Sequence, residues 1–358
     1  MQPMRQISHN GGMSYRITIE PTGHTFRARP GESILAAALR HGLIIPYSCR
    51  GGTCGTCMGK IVEGDVRYPY DRRPPALDEK EAVVGQALLC QAQALSDLSI
   101  EVREVRDALD IEPRKLPCRV ARMEQLAHDV MRLYLKLPDT ERLQFLPGQF
   151  VDILLRDGRR RSYSLANAPH DDELLELHVR NIPGGAFSGR VFGDMREKAL
   201  LRLEGPLGTF HLREDSDRPI LLMAGGTGFA PVKSILEHTF ALGLHRPVHL
   251  YWGVRAMRDL YLHELPRRWA REHAGFHYTP CLSEPDPRDQ WKGRIGLVHN
   301  MLLQDYPDLG AYDVYMSGPP GMIEAARRDF ASHGLEPQRL FYDSFEHAVD
   351  APSEDAAP

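Results

Sequence analysis

The 358-residue sequence has no run of 18 apolar residues, so nothing in it reads as a membrane span. It also lacks a surplus of positive charge. Its 44 Lys and Arg stand against 48 Asp and Glu, a net charge of -4, which removes the footprint of a nucleic-acid or anionic-membrane binder. The opening MQPMRQISHNGG has no apolar targeting core. It reads as a disordered leader with Met13 as an alternative start, and the chain as cytoplasmic. No internal repeat or long low-complexity stretch is present. Cysteine is scarce at six residues, but its placement is uneven: Cys49, Cys54, Cys57 and Cys90 crowd the first 90 positions, while Cys118 and Cys281 stand alone. A disulfide scaffold is out of place in a cytoplasmic chain of this length, so the crowded four point to metal or redox work. The two lone cysteines read as core or surface thiols.

What is present is an ordinary globular composition, 42% hydrophobic and 26% charged, long enough for two or three cored domains. SYRITIE at 14–20 alternates like a strand, HTFRARP follows as its hairpin partner, and GESILAAALRHG predicts a short helix after Ser33. With MGKIVEGDV and SDLSIEVREV this makes a small α+β domain over 13–105. Residues 106–117 read as a linker. From Cys118 to about 213 strand-like segments dominate, which predicts an antiparallel barrel. From 214 to 346 the pattern alternates: RPILLMAGG, then VKSILEHTFALG, then VHLYWGVR, and so on to DVYMSGPPG and EAARRDFASHG. That alternation predicts an α/β domain with a covered parallel sheet. Residues 347–358 read as a flexible tail.

The four crowded cysteines make C-x4-C-x2-C and a distant fourth, within YSCRGGTCGTCMGK and LLCQ. The spacing suits a [2Fe–2S] cluster, whose two irons leave four terminal thiolate positions. Gly51, Gly52 and Gly55 let the loop wrap closely and aim N–H groups at sulfur. A structural zinc site is the alternative, although zinc favours paired hooks. The segment resembles plant-type ferredoxin domains, with Cys49, Cys54, Cys57 and Cys90 as metal ligands.

PGQF at 147–150, RSYS at 161–164 and GGAFS at 184–188 occur in that order, and together they resemble the flavin domain of ferredoxin-NADP reductase-like proteins. The resemblance implies FAD, with FMN as the alternative. It implies that Arg161 pairs with pyrophosphate, Tyr163 packs by the flavin and ribityl region, and Ser164 approaches flavin N5 as a catalytic residue. It further implies that Gly184, Gly185 and Ser188 cradle pyrophosphate where a helix begins near Ser188. His178, Val179 and Arg180 would line the adenine or ribityl side.

AGGTGFAP at 224–231 lies between a strand and a helix, and Gly225, Gly226, Thr227 and Gly228 offer a tight turn to a nucleotide pyrophosphate. The turn is not the GxGxxG of ordinary dinucleotide-binding domains. MSGPPGM at 316–322 resembles the segment that approaches nicotinamide in these reductases, often written CGPP; here Ser317 replaces cysteine, followed by Gly318 and Pro319. Arg255 and Arg258 follow the second strand, where a basic side chain could reach a 2′-phosphate, but Asp259 adjoins them. NADH is the expected donor, with NADPH possible. In LFYDSFE, Phe341 reads as core. The resemblance implies that Phe345 shields the flavin and Glu346 contacts its redox edge.

The order of the three domains resembles reductase components of bacterial multicomponent oxygenases, and also the CDP-6-deoxy-glucoseen reductases. The implied activity passes electrons from NAD(P)H through FAD and [2Fe–2S] to a terminal oxygenase or another iron–sulfur acceptor. A reductase partner of a CDP-deoxysugar 3-dehydrase is the alternative. An iron–sulfur carrier without nucleotide oxidation, or a flavin reductase releasing reduced flavin, are the readings from other classes. No Ser–His–acid constellation or catalytic carboxylate pair is required for the main one.

Overall fold

The computed structural model describes residues 14–41, 43, 45–47, 52–53, 55, 57–102 and 111–345. Cys49, Cys54, Arg50, Gly51, Glu346, the leader and the 347–358 tail lie outside the described residues. The chain divides into two compact units, the first reaching Arg106 and taking in 139–142, the second holding the rest.

In the first unit, β1 (Tyr15–Glu20) and β2 (His24–Ala28) form the expected hairpin. Helix α1 (Ile34–Arg40) starts where Ser33 Oγ accepts the Ala36 N–H at 3.2 Å, satisfying one of the free donors of the first turn. Strands β3 (Met58–Glu63), β4 (Val66–Arg67), β5 (Gln86–Leu88), β6 (Gln93–Ala94) and β7 (Leu98–Glu101) follow, with α2 (Glu79–Val83) between β4 and β5. The main sheet runs β2-β1-β7-β3-β5, and β4 pairs with β6. Period-two alternation buries Ile17, Ile19, Phe26 and Ile100, and Ile34 and Leu35 of α1 are buried as well.

The second unit holds both remaining layers. Strands β8 (Arg114–Ala127), β9 (Val130–Lys136), β10 (Phe150–Leu154), β11 (Arg160–Ser164), β12 (Leu175–Arg180) and β13 (Leu200–Leu207) form one antiparallel sheet in the order β11-β10-β13-β8-β9-β12. Its two edges meet: Leu165 bridges Leu177, and the Ala166 N–H reaches Glu176 O at 2.8 Å, so the sheet closes into a barrel. Helix α3 (Ala186–Phe192) adds Phe187 and Val191 to the barrel core. The expected linker is shorter than its 106–117 span. Residues 114–117 already belong to β8 and pair with β13 from Arg114–Gly205 to Pro117–Arg202. The alternation of buried Leu116, Cys118 and Val120 is the period-two signal that the charged neighbours obscured.

The third layer is a parallel sheet of β14 (Ile220–Gly225), β15 (Val248–Val254), β16 (Phe276–Leu282), β17 (Arg294–Ile295), β18 (Asp313–Gly318) and β19 (Leu340–Ser344), in the order β17-β16-β15-β14-β18-β19. Helices α4 (Phe229–Leu242), α5 (Glu264–Glu272), α6 (Val298–Asp305) and α7 (Pro320–Ala331) connect the strands. Every residue of β14 and of β18 is buried, as a sheet covered on both faces requires. Strand addition reverses at β14, whose neighbours are β15 and β18. This makes the carboxyl ends of β14 and β18 a topological switch point, the crevice where α/β sheets take ligands. Cys118 and Cys281 are core thiols, each pushed up to about 12 by burial. Among the described residues no helix is long and apolar enough to cross a membrane.

Candidate active site

The cysteine loop enters β3 through Cys57, and Cys90 lies just beyond β5, which pairs with β3. The Leu89 N–H donates to Cys57 O at 3.1 Å, and the Cys57 and Cys90 side chains are buried. The Tyr68 phenol is pushed up by burial and, further, by the negative charge of both thiols. Gly52 has φ +76°, and a Cβ there would stand 2.7 Å from Pro74, so only glycine lets the loop lie this close to the 74–77 segment. The Ala76 N–H closes the contact by donating to Gly52 O at 3.0 Å. Two of the four expected ligand thiols therefore flank one site, a donor set that fits an iron–sulfur cluster.

In the second unit, β11 delivers Arg161, Tyr163 and Ser164. Arg161 is half-buried, its Nη1 donating to Arg160 O at 2.8 Å. The Tyr163 ring lies 5.3 Å from Phe187, and burial raises its phenol pKa. Ser164 is buried, and its hydroxyl donates to Asp343 Oδ2 at 3.3 Å. Burial pushes the Asp343 carboxyl up to about 6, against the lowering effect of that hydrogen bond. Asp343 lies opposite Ser317 in the β18–β19 register, and Ser317 lies opposite Ala224 of β14. Ser317 is fully buried and its Oγ has no hydrogen-bond partner. The Phe345 N–H donates to Gly318 O at 2.9 Å, which anchors the residue after β19 to the end of β18.

The sequence points to Ser164, Ser317 and Phe345 but gives no sign of Asp343. Parallel pairing of β19 with β18 puts Asp343 beside Ser317, a register that no local pattern carries.

The residues expected along the adenine or ribityl side are distributed differently. The His178 side chain is fully buried and engaged within the protein: Nε2 bonds Glu176 Oε1 at 2.9 Å and Nδ1 bonds Tyr261 Oη at 2.9 Å. Val179 points into the barrel core. Strand alternation separates the pair, since neighbours on β12 face opposite ways. Arg180 donates to Asp129 at 2.8 Å and stands beside Gly226, on the nucleotide side. Helix α3 starts at Ala186, two residues before Ser188 and as expected near it, with Gly185 as its cap. Ser188 is buried, and its hydroxyl accepts the Ile182 N–H at 3.2 Å, which braces the loop ahead of the helix. Gly184 is exposed and Gly185 half-exposed at the head of that helix.

The glycine turn and the MSGPP segment touch. A Cβ on Gly228 would stand 2.0 Å from Ser317 O, so glycine is what lets the turn rest on β18. Thr227 is half-buried in the same short 3-10 turn, and Trp252 Nε1 donates to Gly226 O at 2.9 Å. At the strand ends opens a cavity of about 350 Å³, with Arg180, Gly225, Gly226, Arg255, Asp259 and Pro319 in its wall. Backbone N–H groups, a helix start and arginines around one cavity suit a dinucleotide pyrophosphate. The buried unpartnered Ser317 hydroxyl and the Ser164–Asp343 pair, at the junction of barrel and sheet, suit the polar edge of a flavin.

Three family models match the chain in sequence: a 2Fe-2S iron-sulfur cluster binding domain over residues 17–95, an oxidoreductase FAD-binding domain over 117–212, and an oxidoreductase NAD-binding domain over 222–328. The CDP-6-deoxy-L-threo-D-glycero-4-hexulose-3-dehydrase reductase of Yersinia pestis is 40% identical over 333 residues, covering 93% of this chain and 99% of that protein. A terephthalate 1,2-dioxygenase reductase component from Comamonas sp is 34% identical, covering 93% and 98%. Among solved structures, an Amycolatopsis cytochrome P450 reductase aligns with a TM-score of 0.61 at 35% identity, covering 92% of this chain and 98% of its own. With all three domains matched in order and relatives of this identity aligned nearly end to end, the chain belongs to the family of iron–sulfur flavoprotein reductases that join a [2Fe–2S] domain to FAD- and NAD-binding domains.

Proposed function

We propose that this chain is an NADH-dependent reductase that supplies single electrons to a terminal oxygenase component. The observation that carries the reading is the meeting of Ser164, Ser317, Asp343 and the glycine turn at one junction of barrel and parallel sheet. When bound, FAD converts a two-electron hydride donation into one-electron deliveries to the cluster.

The chain's own residues have separable tasks in this proposal. Arg161 pairs with FAD pyrophosphate through its planar donors, and Tyr163 offers a flat face. Ser164 positions the redox edge, and Asp343 holds or releases a proton at its Oδ2 near neutral pH, as its value of about 6 permits. Gly225, Gly226, Thr227 and Gly228 receive the nicotinamide nucleotide, Gly318 and Pro319 close over it, and Arg255 stands exposed at the cavity wall. Cys49, Cys54, Cys57 and Cys90 hold the cluster. We place the domain limits at 13–105, 114–213 and 214–346, and the protein in the cytoplasm, where such thiols remain reduced.

A second acceptor, a CDP-deoxysugar 3-dehydrase, is favoured by the 40% identity to the Yersinia reductase. Anaerobic stopped-flow absorbance of the FAD- and cluster-loaded chain tests the activity. Flavin bleaching by NADH followed by loss of the cluster bands is expected, with NADPH slower. Absence of both changes with either donor would leave an iron–sulfur carrier instead. Adding a purified oxygenase or dehydrase component to the reduced protein then discriminates the acceptors by which one reoxidises the cluster.

A further inference from the structure

The seam between barrel and parallel sheet is built from buried charge. Lys233 lies on α4, the helix that directly follows the glycine turn, and its side chain is only 6% exposed. Its three ammonium hydrogens meet three acceptors: Ala166 O at 3.0 Å, Glu176 Oε2 at 3.1 Å and a Glu237 carboxylate oxygen at 3.0 Å. The next residue, Ser234, is fully buried and donates to Asn167 O at 2.7 Å. Successive α4 side chains thus grip successive barrel carbonyls. Glu176 is further held by His178 at 2.9 Å and by Arg132 at 3.7 Å, and Tyr261 on the sheet side holds His178 in turn.

The gripped carbonyls lie two and three residues beyond Ser164, whose own hydroxyl reaches Asp343 on β19. The segment 164–167 is therefore pinned at both ends to the nucleotide half. An apolar seam would hold two layers together at lower desolvation cost, since buried ion pairs seldom repay their dehydration. What the ionic seam adds is direction. Each bond has one donor and one acceptor, so a slide of the layers breaks it, whereas apolar side chains can slip and repack.

We propose that Lys233, seconded by Ser234, is a positioning residue for hydride transfer: it fixes the register between the Ser164 segment at the flavin edge and the glycine turn that holds the nicotinamide nucleotide. This rests on the reductase function proposed above. Lys233 touches neither ligand; it acts through Ala166 and through the helix that carries the turn. The two halves would together set the gap between a bound nicotinamide and a bound flavin, and a misplacement of about 1 Å can cost on the order of a hundredfold in rate.

The test uses the full chain loaded with FAD and cluster, comparing wild type with Lys233→Met, Lys233→Arg and Ser234→Ala. Three quantities are read anaerobically: the limiting rate of flavin bleaching at saturating NADH, the NADH dissociation constant from its concentration dependence, and the long-wavelength charge-transfer absorbance of reduced protein with NAD+. Lys233→Met is expected to slow bleaching by about 10- to 100-fold with NADH affinity changed less than about threefold, and to weaken the charge-transfer band. Lys233→Arg should recover part of both. Ser234→Ala, which leaves the ion pairs whole, should show the same split at about three- to tenfold and keeps the test decisive if Lys233→Met does not fold. Variants that melt earlier yet bleach at the wild-type rate with an unchanged band would overturn the proposal and make the seam a stability device alone. Failure of the wild type itself to bleach would instead refute the reductase reading.

Discussion

The second unit contains two six-stranded sheets built on opposite rules. In the barrel, β8 alternates buried and exposed residues, and β11 carries exposed Ser162 between half-buried Arg161 and Tyr163. In the parallel sheet, β14 and β18 are buried at every position. A barrel strand can offer side chains from its outer face to a ligand. A doubly covered strand has no free face, so it serves a ligand only where it ends, largely through backbone and glycine. In the proposed function Arg161, Tyr163 and Ser164 work through their side chains, whereas Gly228 lets its turn rest on the backbone of β18 and Gly225 and Gly226 leave room for Pro319, Met322 and Arg180. Mutations should divide along the same line.

The largest expected effect is at a strand end. Gly228→Val places a side chain where a Cβ alone would stand 2.0 Å from Ser317 O. It should abolish NADH-driven flavin bleaching and loosen the nucleotide half, seen as early cleavage there in limited proteolysis, while the cluster absorbance persists. Recovery of wild-type bleaching would contradict the close-approach account.

The opposite end of the same sheet should affect stability alone. Arg246 Nη2 pairs with Asp313 Oδ2 at 2.6 Å, both almost fully buried, where β18 begins. Arg246→Met leaves Asp313 short of a buried partner and should cost about 3–5 kcal/mol in denaturant unfolding. The NADH dissociation constant of the folded fraction should not change.

Asp343 joins the two sheets, and its effect depends on pH. Its folded-state carboxyl is raised to about 6 by burial, above its unfolded value of 3.8. The unfolded chain therefore releases this proton first, so stability is lost as pH rises from about 4 to 6 and stays lower above that. In the FAD-free chain, Asp343→Asn should gain roughly 2–3 kcal/mol at pH 8 and nothing at pH 3.5. In the loaded enzyme it should flatten any inflection near pH 6 in the bleaching rate. Equal stability changes at both pH values would mean the carboxyl is not desolvated.

The smallest effect belongs to Ser317, whose buried hydroxyl has no partner. Ser317→Cys substitutes a softer atom without a strong polar demand, and should stabilise the FAD-free chain by up to about 1 kcal/mol. Bleaching should change within about threefold. A larger loss would show that the hydroxyl finds a partner in bound flavin or nicotinamide.

Legibility followed the length of the signal. RPILLMAGG announced a buried strand because six consecutive apolar or small residues have only a covered place to go, and β14 is that strand. Ser33 announced α1 because its hydroxyl can satisfy an end donor locally. The start of β8 was hidden, because Arg114, Lys115 and Pro117 break the apolar run and only every second residue from Leu116 faces inward. His178 and Val179 looked like neighbours in a ligand wall, but adjacency along a strand places them on opposite faces.

By itself the sequence determined the order of the domains, the element types and the cysteine spacing, because these rest on composition, periodicity and local hydrogen bonding within a few residues. Tertiary structure alone decided that Asp343 meets Ser164 across 179 positions, that Arg180 lines the cavity at the strand ends, and that Lys233 grips the barrel. Those contacts depend on strand register and on how one layer lies on another. Neither is encoded in any short window, because both are settled only when every layer finds its packing together.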